Sequence, residues 1–502
     1  MTNDTVQMIK DKLPFLKHPQ SELQFSWNCV QLGLLILPLS PFFGGIFLGL
    51  ALLGTWVRKY RTIIRRPQNL GFALFSLLLL ISTAFAFDRQ EAIIGLFNLL
   101  PFILLFSAFS ILIQTPAQLR RLSWILVITS VPVVIIGWGQ LFCGWSTGQQ
   151  WESALGWAIA LGGNPPGRMA SIFMYANTLA AYLVIVFILG LGLWLENYLY
   201  EKPRSRSVPD GIRAGLQQLQ IDKKTQNANS RQDCAKIRQL RSQFSETSRG
   251  RVACRMAATR VYAVLASEGY YAKSFSFLFL STVVIANFVA LILTDSRNGW
   301  AIAFFACLAY AFYQGWYMLV AGVTGLITSV LLAAFAPLSI ANVFRQIIPA
   351  HFWARLNDQL YPDRPVGLLR KTQWEFAWSM TQQRPWTGWG LRNFTPLYQT
   401  QTHLWLGHPH NLFLMFSAEI GLPATVLFCA LLSWIFLGGI QVLYSSKYLQ
   451  AKDKLIFFSY LLVFGAWILF NTADVTIFDF RLNTLFWLLL GAISGIVYRC
   501  KS

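Results

Sequence analysis

The sequence predicts an all-α protein threaded about twelve times through a membrane. Of its 502 residues 55% are apolar and 12% charged, against roughly 25% charged residues in a soluble domain. Apolar runs recur from Phe25 to Val497, several of them long enough for a hydrocarbon core that takes about 20 helical residues to cross. Basic residues alternate between crowded and sparse connections, as a multi-span chain requires.

The opening stretch, 1–24, is polar and mixed in charge, with no small-residue cleavage site after a short apolar core. The first apolar segment is therefore expected to stay in the protein. Six spans are read within 25–195, at 25–40, 42–57, 68–87, 92–113, 121–141 and 170–195. The first two are separated as a tight hairpin. Pro38-Leu-Ser-Pro41 disfavours a continuous helix, because proline removes a hydrogen bond and restrains the residue before it.

A basic insert, 196–271, follows, rich in Arg, Gln, Ser and Asn. It reads as mobile or surface-helical chain that could meet anionic headgroups, or as a solvated loop that fixes topology. Three more spans lie within 272–337, at 272–294, 299–314 and 316–337. A long external loop, 338–410, contains an amphipathic helix. The last spans, 411–438, 455–473 and 482–499, fill 411–499.

An even number of spans puts both termini on one side. With that side cytoplasmic, 30 of the 41 Lys and Arg residues lie inside and 11 outside, and seven of the 11 belong to the loop 338–410. The positive-inside rule favours this orientation, with both termini cytoplasmic, as expected of an inner-membrane protein. The net charge of +20 is thus explained by topology, and nucleic acid is not an expected partner. Cysteines at 29, 143, 234, 254, 307, 429 and 500 form no CxxC pair and suggest neither a disulfide framework nor a zinc site.

Ionisable groups at or within spans are costly and so become functional candidates. In Asn164-Pro-Pro-Gly-Arg168-Met-Ala-Ser171, with Asn177 two turns on, the turn aims Arg168 at the outer headgroups, as a phosphate ligand or a snorkelling anchor. Thr294-Asp295-Ser296-Arg297-Asn298-Gly299 breaks two apolar runs. Arg297 can offer a fork of donors to a diphosphate there with Asp295 orienting it, or the two can simply cap a hairpin. Arg370, Trp374 and Trp378 are spaced by four residues and share one helical face that could lie along the membrane.

Gly407-His408-Pro-His410-Asn411 leads into the tenth span. A histidine there can accept a proton from a hydroxyl, and Asn411 could hold it or a substrate group. His408 and His410 as metal ligands lack an acidic or Cys partner in the loop. Glu419, nine residues beyond His410 and on the opposite side of the helix, is expected to support packing or a second polar contact.

At these residues the chain resembles the O-antigen ligase and polymerase superfamily, membrane glycan transferases of the type-C glycosyltransferase class. The landmarks run in order through Arg168-Met-Ala-Ser-Ile-Phe with Asn177, Asp295-Ser-Arg297-Asn-Gly-Trp300, Arg370-Lys-Thr-Gln-Trp374, Arg384-Pro-Trp-Thr-Gly-Trp-Gly-Leu-Arg-Asn-Phe394, His410-Asn-Leu-Phe-Leu and Glu419-Ile-Gly421. The insert is longer than that family usually carries.

The resemblance implies transfer of a glycan from an undecaprenyl diphosphate donor to a glycan, lipid or protein acceptor, with no metal and no cofactor. Arg297 and Arg370 would hold the diphosphate, Arg168 would add a phosphate contact and His410 would be the base. Phe470-Asn-Thr-Ala-Asp474-Val-Thr-Ile-Phe-Asp479-Phe-Arg481-Leu-Asn-Thr-Leu-Phe-Trp487 and Leu179-Ala-Ala-Tyr182 also resemble a cyanobacterial branch named for bicarbonate transport. That branch lacks the His-Asn motif, which this chain keeps. Inorganic carbon uptake is the alternative function.

Overall fold

The computed structural model describes residues 17–148, 156–157, 159–200, 275–349, 353, 367, 369–446 and 448–501. Most of the basic insert and part of the loop 338–410 lie outside the described residues. The described residues are helical, with no strand among them. Ten helices are long and apolar enough to cross a membrane. Two of the expected twelve spans fall short: Gln24–Ile36 has 13 residues and Arg297–Tyr313 has 17, against the about 20 that a full crossing takes.

Proline and capping side chains set where helices begin. Pro41, Pro67 and Pro116 each stand at the first position of a helix, where a missing N–H costs nothing. Thr115 and Gln118 form a reciprocal capping box, and Asp88 accepts from the N–H groups of Gln90 and Glu91. The Pro38–Pro41 break separates Gln24–Ile36 from Pro41–Arg65. The two pack closely enough that a Cβ on Gly44 would meet Leu37 Cα at 2.6 Å.

Contacts divide the chain into two units, Met1–Leu193 with Val283–Ser502, and Trp194–Thr282. In the smaller one, Trp194 stacks on Tyr198 and Phe277 and donates to Ser281 Oγ at 2.9 Å.

The larger unit is built around the Phe480–Lys501 helix, which is buried along most of its length. Lipid tails are as apolar as leucine, so packing here depends on close approach rather than on exclusion of water. Gly495 supplies it: a Cβ would stand 2.0 Å from the Ile113 carbonyl oxygen. Trp487 completes the centre against Phe72, Phe106 and Phe428. By contrast Tyr317–Phe335 keeps much of its apolar surface exposed, with Met318 90% accessible.

Candidate active site

The polar motifs occupy breaks between helices, and the fold gathers these breaks at one end of the larger unit. The turn before Ala176–Tyr200 is closed by Asn164 N–H donating to the Arg168 carbonyl at 3.1 Å. It needs glycine at 163, with φ +96°, where a Cβ would lie 2.1 Å from that carbonyl oxygen. The half-buried Arg168 guanidinium is then fixed, Nε donating to the Thr294 carbonyl at 2.8 Å and Nη2 to Asn177 Oδ1 at 2.8 Å. Burial lowers its pKa, Asp295 and Asp474 work against that, and Arg297 adds to it, so these four charges sit within electrostatic reach of one another.

The second break turns at Asp295, whose φ is +47°. Ser296 caps the next helix by accepting from Gly299 N–H at 3.4 Å. Arg297 is the first residue of Arg297–Tyr313 and is exposed. Asn298 Nδ2 donates to the Phe470 carbonyl at 3.1 Å, tying this helix start to the end of Ala451–Asn471.

His410, with φ +52°, immediately precedes the Leu412–Ser445 helix. Asn411 is its N-cap, and Oδ1 accepts from Phe413 N–H at 3.0 Å and Leu414 N–H at 3.1 Å. The Asn411 oxygen is thus committed to the cap, and a bond to the histidine or to a substrate group would fall to its Nδ2. The unpaired N–H groups of a helix start claim its oxygen first.

His410 is held instead by Asp474, whose Oδ1 lies 3.2 Å from His410 Nδ1. Asp474 Oδ1 also accepts from Val475 N–H at 2.9 Å, and Oδ2 accepts from Asn177 Nδ2 at 2.9 Å. A continuous hydrogen-bonded chain thus runs from Arg168 through Asn177 and Asp474 to His410. Burial raises the Asp474 pKa, but the bond to His410, both imidazoles and the Val475 N–H outweigh it and leave the carboxyl below its ordinary value. The His410 side chain is 30% exposed and that of Asp474 11%. The pair is therefore rooted in protein and open on the imidazole side.

His408 Nδ1 accepts the His410 N–H at 3.2 Å, which leaves its proton on Nε2, 3.9 Å from Asp474 Oδ1. Burial drives the His408 pKa down to about 4, helped by His410 and Arg370 and opposed by Asp474. It stays neutral where a base works. The Arg370 effect also brings that residue, exposed at the start of Arg370–Gln383, to the site.

Trp374 Nε1 donates to the Pro409 carbonyl at 3.0 Å and so steadies the residue before His410. The Arg370–Gln383 helix buries Ala377 and Met380 in a cluster with Phe394, Tyr398 and Ala418, while Trp378 is 47% exposed. The Arg370–Trp374–Trp378 face therefore borders this packed face.

Glu419 serves the scaffold. Pro423 has no N–H for the carbonyl of Glu419 four residues back, and Gly421 leaves the helix at φ +79°. That carbonyl is taken by Gly390 N–H at 2.7 Å and Ser82 Oγ at 3.0 Å, and Glu419 Oε1 accepts from Phe394 N–H at 3.2 Å. Trp389 N–H donates to the Ala418 carbonyl at 3.0 Å and Leu422 N–H to the Pro385 carbonyl at 2.8 Å. The Arg384–Phe394 motif thus fills a helix break.

Asp474 is the site residue that pattern reading did not select. It lies 64 positions from its partner, and only its place in a polar break at a helix end marks it. Its carboxylate also supplies the acidic ligand absent from the histidine loop: ligand atoms of His408, His410 and Asp474 all lie within 4.8 Å of one another, spacing that a transition metal could use.

Residues 282–429 match the family model described as O-antigen ligase. The matched segment includes Arg297, Arg370 and His410, while Arg168, Asn177 and Asp474 come from outside it. No curated protein matches the chain. The family match supports a glycan-transferring function in a membrane.

Proposed function

We propose that this protein transfers a glycan from an undecaprenyl diphosphate carrier to an acceptor hydroxyl at the outer side of the bacterial inner membrane. The observation that carries the reading is the His410–Asp474 pair among Arg168, Arg297 and Arg370. Asp474 accepts the Nδ1 proton of His410, which makes Nε2 the lone-pair nitrogen. That nitrogen takes the proton of the acceptor hydroxyl as the oxygen attacks the anomeric carbon. The bond from that carbon to the diphosphate oxygen breaks, and the electron pair leaves with the lipid diphosphate.

Charge grows on the leaving group as this bond breaks, so fixed guanidinium groups stabilise the transition state more than the ground state. Arg297 and Arg370 are the exposed pair and contact the diphosphate. Arg168, pinned by Thr294 and Asn177, supplies positive potential and orients Asn177 toward Asp474. The donor is a lipid-linked glycan, and the acceptor is a glycan, lipid or protein hydroxyl. The orientation that places this end outside also places the basic ends of the helices in the cytoplasm.

The test is His410→Ala, assayed in membranes with lipid-linked glycan donor. A general base contributes about 10²–10⁴-fold, so turnover falls by that order while the protein stays folded. Undiminished turnover overturns the assignment. A knockout separates two variants of the reaction: long chains accumulating on carrier lipid indicate ligation, and single repeats indicate polymerisation.

A further inference from the structure

We propose that a basic cavity at the end of the helices opposite the histidine pair binds the phosphate of an anionic phospholipid headgroup. The cavity measures ≈ 300 Å³ and is lined by His18, Lys59, Arg66, Gln118, Tyr498 and Arg499, among others. Its distance from the histidines follows from one element. Asp474 precedes the Phe480–Lys501 helix and Arg499 lies near its far end, 19 residues beyond Phe480 or about 29 Å along the axis.

Arg66 makes the case for a ligand. It is 3% exposed, lies 4.0 Å over the Tyr498 ring and donates from Nη1 to the Ser110 carbonyl at 2.7 Å. Its buried Nε has no hydrogen-bond partner. An unsatisfied buried donor costs about 1–3 kcal/mol, more when charged, and native proteins rarely leave one. Capping Ser110 explains Nη1 but neither the open volume nor the vacant donor.

His18 is less suited to the anion, because both its ring nitrogens face main-chain carbonyls, of Gln20 and Leu112, at 2.9 Å. Lys59 pairs with Glu22 and keeps 21% of its side chain exposed, so it can bridge to a second acid. Three cations, Lys59, Arg66 and Arg499, are therefore set for a single phosphate.

The position of the cavity says where that phosphate comes from. It is lined at the ends of membrane-spanning helices, by Lys59 and Arg66 at the end of Pro41–Arg65 and by Tyr498 and Arg499 at the end of Phe480–Lys501, the level at which headgroup phosphates stand. Basic pockets there recognise anionic headgroups. A free phosphate would meet the same cations, and the titration separates the two.

The test uses the purified full chain in detergent, titrated with phosphatidylglycerol, with zwitterionic phosphatidylethanolamine and with inorganic phosphate, reading bound lipid by native mass spectrometry and melting temperature. Phosphatidylglycerol should bind at least tenfold more tightly than phosphatidylethanolamine, and Arg66→Gln should lose that preference. Arg66 also caps Ser110, so the double variant Lys59→Gln/Arg499→Gln is the safeguard. It should melt like the parent without lipid and still bind phosphatidylglycerol at least tenfold less. Unchanged affinity in the double variant overturns the site. Displacement of the lipid by inorganic phosphate at equal concentration overturns the lipid as its ligand.

Discussion

At the scale of single residues, the site depends on what each heteroatom is already committed to. Asp474→Asn keeps the shape but removes the charge that stabilises an imidazolium, so kcat should fall by about 10²–10⁴-fold with a smaller change in KM, measured by steady-state glycan transfer. Arg297→Ala should lower turnover by about 10²-fold if it stabilises the leaving diphosphate. A metal on His410 Nδ1 would displace the Asp474 bond and leave the proton on Nε2. Chelator should therefore spare activity and added Zn²⁺ should inhibit it.

His408 makes a prediction about stability. Its folded pKa, about 4, lies below its ordinary 6.5, so the unfolded chain binds the proton first as pH falls. The folded state loses stability between about pH 6.5 and pH 4 and no further from this group below that. Melting of the detergent-solubilised protein should show this slope, and His408→Gln should flatten it.

At the scale of elements, the kinked Leu412–Ser445 helix joins the candidate site to the scaffold. Its first turn is capped by Asn411, which sets the direction from which His410 enters. Two turns on, Gly421 and Pro423 open the helix, and the Arg384–Gly390 segment pairs with the carbonyls of Ala418 and Glu419. Gly388, at φ +68°, sits where a Cβ would be 2.4 Å from the Glu419 carbonyl. Gly388→Ala should destabilise the fold by about 1–3 kcal/mol from backbone strain, more with the clash, seen as a lower melting temperature. This motif is legible as a family landmark, but its reason is a hydrogen-bond exchange that only the folded pair of segments reveals.

At the scale of the whole molecule, two clusters of charged and polar side chains stand at opposite ends of the larger unit. One end holds Arg168, Arg297, Arg370 and the His410–Asp474 pair; the other holds Arg66, Arg120 bonded to Asp453 at 3.0 Å, and Lys501 bonded to Gln441 at 2.8 Å. The proposed orientation is checked with single-cysteine variants and a membrane-impermeant maleimide on intact cells. Cys143, exposed near the first end, should label from outside, and Cys500 only after permeabilisation. Inorganic carbon uptake would need a polar path through the bilayer centre, whereas the site residues cluster at one end. Proteoliposomes carrying only this chain should take up no labelled bicarbonate.

The sequence alone determined the all-helical, multi-span class, because hydrocarbon admits only chains that satisfy their backbone internally and apolar run length records this directly. It also marked the breaks where arginines and histidines interrupt those runs, since unneeded charge there is costly. Only the tertiary structure decided that Asp474 meets His410, that the Asn411 oxygen is spent on a cap and that Glu419 belongs to a helix break. Each of these depends on which hydrogen-bonding atoms meet, often across dozens of residues, and local pattern carries no record of such meetings.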